Sequence, residues 1–314
     1  MGNPHHNMIP RHDQSPLPRD VSETLVVISI AVTVQRQYEI DTVDIAFTDG
    51  DNGSCSVERM DHTEAEAVCA TIYQEFIADR SVYIAWEARL QKGGGWGGGW
   101  GASAHIAVAT DTSDTPVGYC IYFTRSGHEH KTRTQTLHIA ELIWTTMDAY
   151  RSLWSFIASH DLVGAVTYHA APADDPAPEL FTEPRLLDTK DNEGMWLRIV
   201  DLAAALSSRR YHTAPLELSL AIEIVDDGTG LAEWNNGLWV LNVGSEGVAT
   251  VVAAAGGVAA EISLTIKAMA SLFTGFRTAA ELSAWNELHG EASAVTKAGL
   301  IFAPLHAPHC FDHY

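Results

Sequence analysis

Basic side chains are scarce in this sequence. Over 314 residues, 19 Lys and Arg stand against 40 Asp and Glu, a formal net charge of −21. Such a surface repels polyanions and anionic bilayers, so nucleic-acid and membrane-surface partners are not expected. It suits cationic ligands such as polyamines, aminoglycosides or exposed lysines, and a salt-rich cytoplasm would select it with no ligand at all. Cysteine is rare too. Cys55, Cys69, Cys120 and Cys310 are widely spaced with no CxxC, which excludes a disulfide frame and reads as reduced, mostly buried thiols of a cytoplasmic protein. No apolar run reaches the roughly 20 residues of a spanning helix. Residues 25–34 are apolar, but Asp13, Asp20 and Glu23 before them do not suit a signal peptide. That run reads as a buried strand.

What is present is apolar residues at 46%, enough in a chain of this length for two domains with their own cores. Residues 1–20, with four prolines and His5, His6 and His12, read as a disordered tail. β-Branched runs follow at 25–34 and 38–47, with a turn at 49–53. Apolar periodicity predicts helices over 63–78 and 80–91. Strands are expected at 104–109, 117–123 and 137–144, a helix at 147–159 and a strand at 162–169. Prolines between Pro172 and Pro184 mark a junction. Beyond it, strands are expected at 216–225, 237–243, 248–254 and 260–266, and helices at 268–273, 279–287 and 291–298.

The stretch 179–211 organises the rest. Glu183, Pro184 and Arg185 precede an acidic turn at 188–194, after which Trp196, Ile199, Leu202 and Leu206 recur at helical spacing. Arg209 and Arg210 suit the negative end of such a helix. The stretch has a distinctive wording, DPxxxLxxxPR followed by DxxGxWLRxxDxxAALxxRxY. Its letters are Asp175, Pro176, Leu180, Pro184, Arg185, Asp191, Gly194, Trp196, Leu197, Arg198, Asp201, Ala204, Ala205, Leu206, Arg209 and Tyr211. It resembles the junction into the C-terminal domain of the Eis (enhanced intracellular survival) family of GNAT N-acetyltransferases.

The resemblance implies a mixed α/β, α+β fold in which a degenerate GNAT-like domain precedes a sterol-carrier-protein-like α+β domain. The expected division is 1–30 as tail and unassigned strand, 31–174 as the GNAT-like domain and 175–314 as the sterol-carrier-protein-like domain. GYCIYF, LHIAELIW and LWSFIASHDL resemble the family's second GNAT domain, while AEISLTIKAMASLFTGF fits the last. Its apolar strand faces read as plain core.

Two glycine questions bear on the cofactor. The low-complexity run KGGGWGGGWG at 92–101 lies after a predicted helix and before a strand, the reverse of a phosphate-cradling order; it reads as a flexible connection. After Trp144 comes TTMDAYRS, with no glycine where a working GNAT sets its pyrophosphate loop. No residue is therefore expected to bind acetyl-CoA, the cofactor that the family implies.

In the tail FAPLHAPHCFDHY, His306, His309, Cys310 and His313 are metal-ligand types. Pro304 and Pro308 break any single helix and no second cluster completes a site, so no metal is expected. The family implies another use, in which the chain-terminal carboxylate, here on Tyr314, is general base towards the substrate amine. His313 is the adjoining substrate contact. The expected function is that of an Eis-like acetyl-CoA-dependent N-acetyltransferase acting on aminoglycoside- or lysine-type amines, represented by its C-terminal two domains. The alternative is a truncated, non-catalytic binding or scaffolding paralogue. Expected partners are the amine, and either further copies in a homo-oligomer or a separate acetyl-CoA-binding chain.

Overall fold

The structure is a computed structural model. It describes residues 25–31, 33–92, 104–126, 135–225, 227–228, 230 and 232–311. The polar tail, the glycine-rich run after Lys92, and both His313 and Tyr314 lie outside the described residues.

The chain starts with β1 (Leu25–Ala31), β2 (Val34–Asp41), β3 (Ser56–Met60), α1 (His62–Ile77), α2 (Trp86–Lys92), β4 (His105–Thr110), β5 (Pro116–Ser126) and β6 (Gln135–Trp144). Next come α3 (Met147–Ala158), β7 (Val163–Ala171), the single turn α4 (Ala177–Leu180) and β8 (Asp188–Glu193). All of these strands except β1 form a sheet of order β3-β4-β5-β6-β7-β2-β8. Its pairs are antiparallel except β6 with β7, which run parallel.

Successive strand residues face opposite sides, and β5 shows which helix covers which. Gly118 leaves room for Ala149 and Leu153 of α3; a Cβ there would stand 3.1 and 3.2 Å from their side-chain atoms. Tyr119 faces the other way, towards α1 and α2. Both long helices are held by side-chain caps. Asp61 accepts from Thr63 N at the start of α1, and Thr146 accepts from Ala149 N at the start of α3. Each cap satisfies a backbone donor that the first turn leaves without a partner.

The second half contains β9 (Trp196–Ile199), α5 (Leu202–Ser208), β10 (Leu218–Val225), β11 (Gly237–Val243), β12 (Ala249–Ala253) and β13 (Ile262–Thr265). It closes with α6 (Ile266–Thr274), α7 (Ala279–Ala284), β14 (Leu288–Gly290) and α8 (Ala292–Phe302). Its sheet has the order β12-β11-β10-β13-β14. Two hydrophobic cores result. One gathers Tyr38, Ile121, Leu142, Trp154 and Phe181, the other Ile222, Leu241, Met269, Ala298 and Phe302.

Several sequence expectations change here. The apolar positions from Trp196 to Leu206 are not one helix. Residues 196–199 form β9, which pairs antiparallel with β1, and the helix starts only at Leu202, capped by Asp201 through Ala204 N. The acidic stretch 188–194 is mostly strand β8, exposed along its length and paired with β2. Charged side chains are how an edge strand avoids pairing with other chains. The helix expected over 80–91 is confined to Trp86–Lys92, because Val82 takes φ +75°, a region closed to helix and costly for a β-branched residue. The first core also continues past the prolines, taking in Ala177, Phe181 and Leu187, so the chain leaves it between Leu187 and Ile199.

Several letters of the 175–211 wording are explained by packing at this crossing. Asp175 accepts from Tyr150 Oη at 2.8 Å and Ala177 N at 3.0 Å. Arg36 pairs with Asp191 at 2.9 Å, and Arg198 with Asp227 at 2.9 Å in a buried pair. Gly194 lies against Thr33, whose Oγ1 would stand 2.2 Å from an added Cβ. Tyr211 donates to Leu206 O at 2.8 Å.

Candidate functional site

Three features converge where the two halves meet. The first is an opening in the seven-stranded sheet. Opposite Ile121 and Tyr122 of β5, β6 presents Glu141 and then Ile139, so Ala140 is an extra residue and bends the strand as a bulge. The parallel pairing of β6 with β7 ends at Ile139 and Tyr168, although β6 runs on to Trp144 and β7 to Ala171. Beyond that point the two strands diverge. In an acyltransferase this is where a cofactor would enter, with its pyrophosphate on the start of the helix after β6.

The residues present do not fit that group. At the start of α3 the Thr146 hydroxyl already takes Ala149 N at 3.1 Å. Asp148 stands in the first turn, accepting from Ser54 N at 2.9 Å and Ser54 Oγ at 2.8 Å. Hydrogen bonds from Cys55 and Ser54 hold its carboxyl below the usual range. An approaching pyrophosphate would thus meet a carboxylate, and residues 145–152 contain no glycine to let the backbone come close.

The second feature is the C-terminal tail. After α8 it leaves the second half and crosses to the first. Ala307 N donates to Asp174 Oδ2 at 3.1 Å, and His306 Nδ1 stands 3.2 Å from the same oxygen. His309 N donates to Ser81 O at 3.3 Å, and Gln35 Nε2 donates to Cys310 O at 3.0 Å. The His309 ring packs against Tyr83 and Phe311, with centroids 5.6 and 4.6 Å away, and Phe311 joins the first core. His306 and His309 are thereby separated rather than converged. Among the described residues no group of three His, Cys, Asp or Glu could hold a metal.

His309 is fully buried and neither ring nitrogen closes a hydrogen bond. Burial, only partly opposed by the backbone of Val34 and the Asp174 carboxylate, pushes its pKa down to about 4. The unfolded chain therefore takes up this proton more readily than the folded one. The contribution to stability is present above the unfolded value of about 6.5 and is lost as pH falls towards the folded value. Asp175 titrates in the same window with the opposite sign, because burial raises its carboxyl to about 6. The check therefore compares variants. Relative to His309→Phe, the natural protein should lose about 2 kcal/mol of unfolding free energy between about pH 7.5 and about pH 5. A pH-independent difference would mean that the ring is solvated.

The third feature is a cleft of about 360 Å³ between the halves, walled by residues 78–82, residues 208–210 with His212, Phe273 and Thr274, and Pro304 to His306. Ser81 Oγ bridges it, donating to Thr274 O at 2.7 Å. Sequence reasoning placed chemistry on Tyr314 and His313, which lie outside the described residues, and missed this cleft. The signal it left in the sequence was the Arg209-Arg210 pair in a chain with 19 basic against 40 acidic residues.

Comparison with known proteins agrees with the two halves. Residues 84–199 match an acetyltransferase (GNAT) domain, and residues 202–311 a sterol carrier protein domain. N-acetyltransferase Eis of Mycobacterium tuberculosis is 29% identical over 183 residues, covering 58% of this chain and 41% of that protein. An uncharacterized N-acetyltransferase of Streptomyces griseus is 29% identical over 181 residues, 56% of this chain and 41% of that one. The chain thus matches about two fifths of the length of these curated relatives. A GCN5-related N-acetyltransferase from Anabaena variabilis has the same fold at TM-score 0.75 and 23% identity, over 92% of this chain and 72% of that one. So does Eis1 from Mycobacterium abscessus, at TM-score 0.67 and 20% identity with the same coverage. Among the described residues, no helix is long and apolar enough to cross a membrane.

Proposed function

We propose that this chain, a homologue of the Eis N-acetyltransferases with a GNAT domain and a sterol-carrier-protein domain, is the amine-handling part of an acetyl-CoA-dependent N-acetyltransferase. The cofactor is held by another domain, on a partner chain or on a neighbouring part of the same protein. The observation that carries the reading is the path of the tail. It crosses from the second half into the first, bonded through Ser81 and Gln35 and anchored by Phe311. That path carries residues 307–311 onto the acetyltransferase half; in this reading the Tyr314 carboxylate takes the proton an attacking amine must lose, with His313 as the adjoining contact. A net charge of −21 draws cationic amines of the aminoglycoside or lysine type towards it. Four cysteines outside any disulfide suit a cytoplasmic setting, and the working form is a homo-oligomer or a complex with the cofactor-binding chain.

The Asp148 carboxylate at the start of α3 favours a second reading, in which the two domains only bind or scaffold. Calorimetry with acetyl-CoA separates the possibilities. The chain alone should give no saturable heat, and the chain joined to a first GNAT domain from a relative should bind acetyl-CoA and acetylate an aminoglycoside or a lysine peptide. Micromolar binding by the chain alone would overturn the assignment of the cofactor to another domain. A joined protein that binds acetyl-CoA but acetylates nothing would leave the scaffolding reading.

A further inference from the structure

The cleft between the halves concentrates positive charge in a protein that has little. Arg80 enters from the loop after α1, Arg209 and Arg210 from the end of α5, and His212 and His306 complete the polar wall. Two carboxylates belong to the same neighbourhood. Asp79 lines the cleft, and Asp174 Oδ2 stands 3.7 Å from Arg80 Nη1 and 3.2 Å from His306 Nδ1.

Neither Arg209 nor Arg210 forms an ion pair with a carboxylate among the described residues. Arg209 is half-buried. It donates to Phe302 O at 3.3 Å and otherwise faces the rings of Tyr211, Phe273 and Phe302 at 5.5 to 5.7 Å. Burying a guanidinium without a counter-ion is costly, and burial lowers the Arg209 pKa accordingly. Arg210 is exposed. Arg80 Nη1 is buried and donates no hydrogen bond, while its guanidinium carbon lies 4.0 Å over the Phe76 ring. The adjacent wall residue Val82 holds φ +75°, a strained conformation that its surroundings must maintain.

We propose that this cleft is a binding site for a small phosphorylated molecule, its phosphate held between Arg80 of the first half and Arg209 and Arg210 of the second. A phosphate dianion offers guanidinium donors acceptor oxygens on more than one side. Val82, Phe273, Pro304 and Leu305 give an apolar wall for the body of the ligand, and about 360 Å³ admits a metabolite but not a polymer. Binding would tie the two halves together, because its donors come from both. The inference does not depend on acetyl transfer.

The experiment is calorimetry and phosphorus NMR on the full chain, in phosphate-free buffer at low ionic strength, with inorganic phosphate and pyrophosphate as probes. Saturable binding of one equivalent of pyrophosphate is expected, with a matching rise in melting temperature. Arg210→Ala removes an exposed side chain and should weaken binding about tenfold or more without lowering the melting temperature of the free protein. Arg185→Ala, an exposed arginine outside the cleft, should leave binding unchanged. Absence of saturable binding would overturn the proposal. So would unaltered binding in Arg210→Ala, or equal weakening in Arg185→Ala, which would mean diffuse surface charge.

Discussion

Replacing Arg89 by methionine should destabilise the protein by about 3–5 kcal/mol, the cost of leaving a buried carboxylate without its counter-ion. Glu141 of β6 is 1% exposed, at the bulge where the sheet opens. The Arg89 guanidinium reaches it from α2, with Nη1 3.3 Å from Oε1 and Nη2 on Oε2, and Tyr119 donates its hydroxyl to Oε1. The same guanidinium packs over the Tyr73 ring of α1, 4.7 Å from its centroid. One side chain therefore docks α2, covers α1 and neutralises Glu141. Methionine keeps most of the stem and removes the charge. Urea unfolding followed by circular dichroism measures the loss. The double variant Arg89→Met, Glu141→Leu should recover most of it, since an apolar pair of similar volume is often no worse than a buried ion pair. A single-variant loss under about 1 kcal/mol would put this pair in the class of solvent-screened surface bridges.

Adding one glycine after Tyr314 should cut the turnover of an enzyme completed by a first GNAT domain by on the order of a hundredfold, the cost of misplacing a reacting group by about 1 Å or more. One residue moves the carboxylate by up to about 3.6 Å. The anchors upstream stay as they are, because Gln35 still holds Cys310 O and Phe311 still fills the first core. Pro304 and Pro308 limit how far the tail can rearrange. Substrate affinity should change little, while Tyr314→Phe, which keeps the terminal carboxylate, should stay active. Equal turnover with and without the extra glycine would reduce the chain end to packing.

Much of the fold was legible because its signals are local. The run PVGYCIYF became β5 and QTLHIAELIW became β6, while MDAYRSLWSFIA became α3 with Leu153, Trp154 and Ile157 buried. These segments carry clear periodicity and, for α3, a capping threonine. The reading failed where a distant partner decides. Trp196 to Leu206 satisfies a helical template, yet β1 is available to pair with residues 196–199, and a pairing partner far away in sequence leaves no mark within the window. The 188–194 stretch looks like a turn because it is acidic, but an exposed edge strand is also polar.

The sequence by itself determined that two domains follow one another, what class each belongs to, and that the helix after Trp144 has no glycine nest for a pyrophosphate. The last depends on residue types within one short window, and the domain classes came from the resemblance carried by residues 175–211. Tertiary structure alone decided that the tail crosses back to bury His309 between Tyr83 and Phe311, that Arg89 neutralises Glu141, and that Arg80, Arg209 and His306 share one cleft. Those three cleft residues come from the loop after α1, the end of α5 and the tail beyond α8. Their charges act on one another only across a few ångströms of protein from which water is largely excluded. That proximity, and the loss of screening that gives it energetic weight, exists only once both cores have formed and the two halves have closed against each other.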